Sequence, residues 1–248
     1  MAFVAPKVKS RLQFQTALFC SGPIADESPT SGRSKYTKLT GSPEAQLRRE
    51  VPMTKVVIDM SMSLDGFVAG PDDDPGHVFD WYSSGHEEYR DPLFRPEPGA
   101  NRDEVKRMFA ESGAFIFGRR TYEMTDGWGG RHPVNGAPVF VLTHDPPADY
   151  PRGPSNLTFV TDGIESAIRQ ARAVAGGKDI KLGGASPGKQ ALAAGLCDEI
   201  LIHLAPYLLG GGVRLFDSLA EGIQLEKLSV RDGPFATHLR YRVIRDAQ

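Results

Sequence analysis

Cysteine is almost missing: Cys20 and Cys197 are the two in 248 residues, and they form neither a CxxC pair nor an even framework. A disulfide scaffold is thereby excluded, and the count suits a reducing, cytoplasmic setting. No run approaches the roughly 18 apolar residues of a membrane helix. The best early stretch, Leu12 to Cys20, is broken by Gln13, Gln15 and Thr16. An excess of one charge is also lacking, since 29 Lys and Arg stand against 31 Asp and Glu for a formal net charge of −2. No overall basic field argues for nucleic acid or a membrane surface, so the expected partner is a small molecule. The six histidines show no paired metal spacing, and no metal is expected. There is no G-x-G-x-x-G, no P-loop and no H-x-E followed by P-C-x-x-C, which disfavours an ordinary Rossmann dehydrogenase, a kinase and a zinc deaminase. A serine-hydrolase reading of Ser186 is set aside as well.

What is present changes character near Met53. Residues 1–52 carry eight basic against four acidic side chains, ten Ser or Thr and no sustained period, so they cannot build a core. The expectation is an internal start at Met53 or a disordered extension, with a transit peptide as the rival, diluted by Asp26, Glu27 and Glu44. A single domain is expected over residues 53–248, folding without that segment. Strands are predicted at Lys55–Met62, Ala114–Phe117, Pro138–Thr143, Asn156–Thr161, Asp179–Leu182 and Glu199–Ala205, and helices at Arg102–Glu111, Arg119–Thr125 and Gly188–Ala194. Another helix should follow a capping box of Asp162 and Glu165, with Ile164, Ala167, Ile168, Ala171 and Val174 on one face. Two last strands, Leu225–Arg231 and Ala236–Arg245, are joined by the hairpin signal Asp232-Gly233-Pro234. Such alternation means an α/β fold with a mostly parallel central sheet flanked by helices and an antiparallel C-terminal hairpin. Cys197, at the start of a core strand, should be buried and inert.

In an open α/β sheet, ligands bind beyond the carboxyl ends of the strands, where helix N-termini offer amide hydrogens to anions. Three junctions fit. Gly118 with Arg119, Arg120 and Thr121 gathers backbone amides, a hydroxyl and two guanidinium groups after a four-residue apolar run. Gly183-Gly184, with Ala185, Ser186 and Gly188, lets a backbone approach a pyrophosphate with no Cβ in the way. Thr143 and His144 end the strand between them.

Taken in order, SMSLDGFVAG (61–70), FGRRTYE (117–123), VFVLTH (139–144) and KLGGASPGKQALAAGLCDEILIHLAPYLLGGGVRLFD (181–217) resemble the dihydrofolate reductase-like superfamily, in particular the C-terminal reductase domain of the bifunctional deaminase-reductase of riboflavin biosynthesis. The resemblance covers about residues 54–245. It implies NADPH as hydride donor, with Gly118, Arg119, Arg120 and Thr121 at its phosphates, Thr143 and His144 at the adenosine 2′-phosphate, and Gly183, Gly184, Ala185 and Ser186 along the pyrophosphate. Phe67, Val68 and Ala69 would shield the nicotinamide, and Phe67, Trp81 and Tyr122 are the candidate substrate contacts. Asp65 and Asp103 are the candidate catalytic carboxylates. Asp103 comes from an uncertain register, and its place at a helix start equally fits a dipole role. The long polar insert between Gly70 and Arg102 carries Phe79, Trp81 and Tyr82, which either stack on a heterocycle or pin the insert. LLGGGVRLFD (208–217) is expected to turn the chain. The implied reaction is reduction of a ribosylamino-pyrimidine, with pterin reduction and an inactive NADPH-binding protein as alternatives, and a homodimer is implied by the resemblance alone.

Overall fold

A computed structural model of the chain describes residues 54–245, so the expectations for residues 1–52 fall outside the described region. Apolar runs rich in β-branched residues become strands, in the order β1 (Val56–Ser63), β2 (Phe67–Ala69), β3 (Ser112–Gly118), β4 (Val139–Leu142), β5 (Thr158–Val160), β6 (Asp179–Gly183), β7 (Glu199–Ala205), β8 (Val213–Arg214), β9 (Leu225–Gly233) and β10 (Ala236–Val243). The helices are α1 (Ala100–Glu111), α2 (Arg119–Met124), α3 (Ile164–Val174) and α4 (Ala185–Ala193). Eight strands form one sheet in the order β5-β4-β3-β6-β1-β7-β10-β9, parallel from β5 to β7 and antiparallel over the last two pairs. The expected mostly parallel sheet with an antiparallel C-terminal pair is therefore the architecture observed.

The two sheet faces differ in chemistry. Val56, Ile58, Ala114, Ile116, Ile180, Leu182, Ile200 and Ile202 pack with α3 and α4 in a purely apolar layer. Burying each such Ile or Leu stabilises by about 1.5–3 kcal/mol. The face covered by α1 and the 70–99 insert is most apolar toward β3 and β4, where Phe115, Phe117, Val139 and Val141 meet Val105 and Phe109. Toward β1, β6, β7 and β10 it is charged. Lys55 and Arg240 both pair with Glu199, at 2.7 and 2.6 Å, and Lys181 lies between Asp59 and Asp179, at 3.5 and 3.6 Å.

Several local expectations are corrected. The α3 N-cap is Gly163, with no side-chain cap, so Asp162 and Glu165 form no capping box. The left-handed φ of +94° at Gly163 sets the chain direction there instead. Val174 is 51% exposed because α3 ends there, past the edge of the core. Helix α4 starts at Ala185 rather than Gly188, which lies inside it against Ile58. The hairpin turns at Pro234-Phe235, one step later than expected. The SLDGFVAG segment contains β2, and the glycine run after Leu209 leads into β8, which pairs with it. Strands of three and two residues are too short to show a period.

Candidate active site

Parallel pairing aligns the carboxyl ends of β1, β3, β4 and β6. Phe117 sits opposite Gly183, and Gly118 opposite Leu142, so the three glycine or threonine junctions emerge side by side. Side chains then tie the loops together. The Arg119 guanidinium donates to the carbonyl of Asp145, just beyond His144, and pairs with the Asp145 carboxylate at 3.3 Å and with Glu123 at 2.6 Å. Those carboxylates hold Arg119 above its ordinary pKa, Glu123 most of all. Arg120 pairs with Asp73, which joins the start of the insert to α2. Thr143 Oγ1 accepts from the Asp145 amide at 3.1 Å.

Gly184 caps α4 at a φ of +92°, with no side chain capping the helix, and its amide donates to Met60 Sδ at 2.8 Å. A Cβ placed there would sit 3.2 Å from Thr121 Oγ1. The first turn of α2 and the N-cap of α4 therefore face each other across the width of one methyl group. Ser186 lies in the first turn of α4. Residues 184–188 do carry the G-x-S-x-G spacing, but the Ser186 hydroxyl accepts from Gln190 at 3.0 Å and no histidine partners it.

Of the two candidate carboxylates, Asp65 stays in the loop after the first strand and Asp103 faces solvent. Asp65 follows β1, and its carboxylate accepts from the Ser63 hydroxyl at 2.6 Å and the amides of Leu209 and Gly210 at 3.1 and 2.7 Å. These bonds, Ser63 foremost, hold its pKa below the usual carboxylate value and make it the clasp between β1 and the 208–212 glycine run. Asp103 is not brought to the site: its side chain is 57% exposed beside Lys106. One residue on, Glu104 points inward and is buried, 3.0 Å from Arg107. Tyr122 packs edge-on against Phe159, and burial raises its pKa. Phe67 and Ala69 are buried in β2, with the Arg214 guanidinium 4.3 Å over the Phe67 ring. Trp81 is also buried. Its indole donates to Ser61 Oγ at 2.8 Å, and its ring lies 4.1 Å from that of His203, so this aromatic pins the insert to the sheet over β1.

The residues the sequence reading missed are the buried Lys181, His203 and His238 and the largely buried Asp59, on the charged face beside Trp81. Their signal was present as polar residues at alternate positions inside apolar strands: Asp59, Ser61 and Ser63 in β1, Asp179 and Lys181 in β6, His238 and Arg240 in β10. Among the described residues no group of three or more His, Cys, Asp or Glu is placed to hold a metal.

The model of the RibD C-terminal domain family matches residues 54–237. No curated protein matches the chain. Among solved structures, a protein described as a riboflavin biosynthesis protein from Shewanella sp. PV-4 shares 24% identity at a TM-score of 0.59, over 78% of this chain and 100% of that one. The diaminohydroxyphosphoribosylaminopyrimidine deaminase/5-amino-6-(5-phosphoribosylamino)uracil reductase of Thermotoga maritima shares 13% at 0.52, over 77% of this chain. The match spans 57% of that longer protein. Dihydrofolate reductase from Enterococcus faecalis, solved with NADP(H) and RAB-propyl, shares 16% at 0.50, over 76% of this chain and 96% of that one. At such identities these structures speak for the fold.

Proposed function

The chain belongs to the RibD C-terminal domain family, and from that membership and the converging loops we propose that it is an NADPH-dependent reductase acting on a small heterocycle of the ribosylamino-pyrimidine type. The observation that carries the reading is the meeting of Gly184 and Thr121 at the uncapped start of α4, with Arg119, Arg120 and the Thr143–Asp145 turn at the same rim.

The residues fit such a cofactor. A Cβ at Gly184 would close the gap to Thr121, and the free amides opening α4 suit a pyrophosphate. Arg119 and Arg120 supply planar donors for phosphate oxygens. When bound, the cofactor would supply the hydride that adds to the carbon of a C=N or C=O bond. The protein then has to orient the acceptor and keep water away. Phe67, Val68 and Ala69 in β2 form a buried apolar wall, and Trp81 closes the β1 side. Asp65 acts by position, holding the 208–212 turn against β1, rather than by exchanging a proton. The reading places the enzyme in the cytoplasm as a homodimer, supported by a lone buried thiol among the described residues and by the exposed apolar side chains of β9.

The test is calorimetric. Replacing Arg119 and Arg120 together with Ala should weaken NADPH at least tenfold and NADH far less if the pair reaches the 2′-phosphate, the one group that NADH lacks. Equal losses would take the pair away from the 2′-phosphate, which NADH lacks, and loss of neither would remove any phosphate role. Wild-type protein that binds NADPH but oxidises it with no pyrimidine or pterin acceptor would be a binding protein instead.

A further inference from the structure

Four polar side chains form a hydrogen-bonded line under Trp81 that the cofactor cradle does not use. Asp59 Oδ1 on β1 lies 3.0 Å from His203 Nε2 on β7, and His203 Nδ1 lies 2.7 Å from His238 Nδ1 on β10. His238 Nε2 in turn lies 3.0 Å from Asn101 Oδ1 on α1. The ends of the line fix its protons. Asn101 donates its Nδ2 to the Pro234 carbonyl at 2.6 Å, so the oxygen facing His238 accepts and His238 Nε2 carries a hydrogen. Asp59 sits 3.5 Å from Lys181 Nζ and accepts from His203, whose Nε2 therefore carries a hydrogen too. Two bare nitrogens at 2.7 Å would repel, so one more hydrogen lies between the rings. On that pattern four ring nitrogens would hold three protons, and the pair one positive charge.

We propose that His203 and His238 share a proton at neutral pH, with the charge on His203 beside Asp59, and that this buried cation seats the Trp81 indole. His203 is then a positioning residue for the substrate side of the cleft, an assignment that rests on the reductase reading above. The indole face is the strongest aromatic partner for a cation, and here the contact is dry: the His203 and Trp81 rings are 4.1 Å apart and tilted by 32°. Trp81 and His238 also stand edge to face, with ring centroids 5.0 Å apart.

The surroundings favour a single charge. Burial alone would raise Asp59, but Lys181 and His203 outweigh it and hold the carboxyl at about 2, so it stays ionised. Burial and the facing His203 push His238 down to about 3, so the pair refuses a second proton. Of the other charged groups near the pair, Glu104 and Arg107 on α1 neutralise each other, Arg231 on β9 lies 3.9 Å from Glu104, Arg240 on β10 is engaged by Glu199, and Lys181 is shared with Asp179. Asp59 is left as the counter-ion of the pair.

Nuclear magnetic resonance of protein labelled on histidine nitrogen reads the proton count directly. The expected neutral-pH spectrum has three protonated nitrogens in the pair and a far-downfield bridging hydrogen that is lost in His238→Phe. A wild-type spectrum with two neutral rings and no bridging hydrogen overturns the proposal without any variant having to fold. In a Trp128→Phe background, an imidazolium quenches Trp81, so His203→Asn should raise emission at neutral pH, and unchanged emission counts against the cation. With an acceptor in hand, His203→Asn should raise its KM roughly tenfold, the scale of a lost desolvated cation–π contact, with a smaller fall in kcat. An unchanged KM overturns the positioning role. If the wild type reduces nothing, the reductase reading fails, while the spectrum and the emission still decide whether the charged pair exists.

Discussion

His132 lies between Phe115 and Trp128, with ring centroids 4.0 and 4.9 Å away, and its Nδ1 accepts from the Val134 amide at 3.3 Å. Burial pushes its pKa down to about 3, the same depth as His238. An unfolded chain takes up a proton on each near pH 6.5, whereas the folded chain does so only near pH 3. Between those values the unfolded state holds more protons on these two rings, so the stability they contribute is full above about pH 6.5 and falls as pH drops toward 3. Replacing His132 with Asn removes one of the two titrating rings. The slope of unfolding free energy against pH in that window should then shrink by up to about 1.4 kcal/mol per pH unit, measured by denaturant titration at several pH values. An unchanged slope would mean that His132 already titrates in the folded state.

Strand β6 and its exit show how element geometry sets the site. A methyl on Gly183 would fall on the Phe117 ring of β3, so this position is closed to any side chain. Gly183→Ala should cost about 1–3 kcal/mol by overpacking, read from the denaturation midpoint, and should loosen the Gly184 turn that follows. The glycines, the Arg-Arg-Thr turn and the longer strands along the chain were legible in the sequence because each leaves a local mark, either a residue with special backbone freedom or an apolar run of set length. The charged face was not, since Asp59, Lys181, His203 and His238 come from four strands that neighbour one another only after the sheet order β6-β1-β7-β10 is known. Asp103 and Glu104 show the same limit within one helix. A one-residue error in register turns a side chain by about 100°, which here separates a solvent-facing carboxylate from a buried one.

The sheet closes on one side with the three-residue β5 and on the other with the nine-residue β9, and the two edges differ. β9 leaves Leu225, Leu228 and Val230 exposed, Val230 at 51%, beside unpaired backbone groups along its outer rim. A long apolar edge is a pairing hazard unless something covers it, and a second copy of the chain meets that need. Sedimentation equilibrium should therefore show a dimer, shifted to monomer by Val230→Lys, and a wild type that sediments as a monomer would refute it. Buried just ahead of β7, Cys197 donates its thiol to the Glu199 carbonyl at 3.2 Å, and burial lifts its pKa to about 12. Alkylating reagents attack thiolate, so in the closed fold this sulfur is chemically silent. In a chain carrying Cys20→Ser, each labelling event at Cys197 would mark a moment when the end of β7 had opened, turning an inert side chain into a clock for breathing of the core.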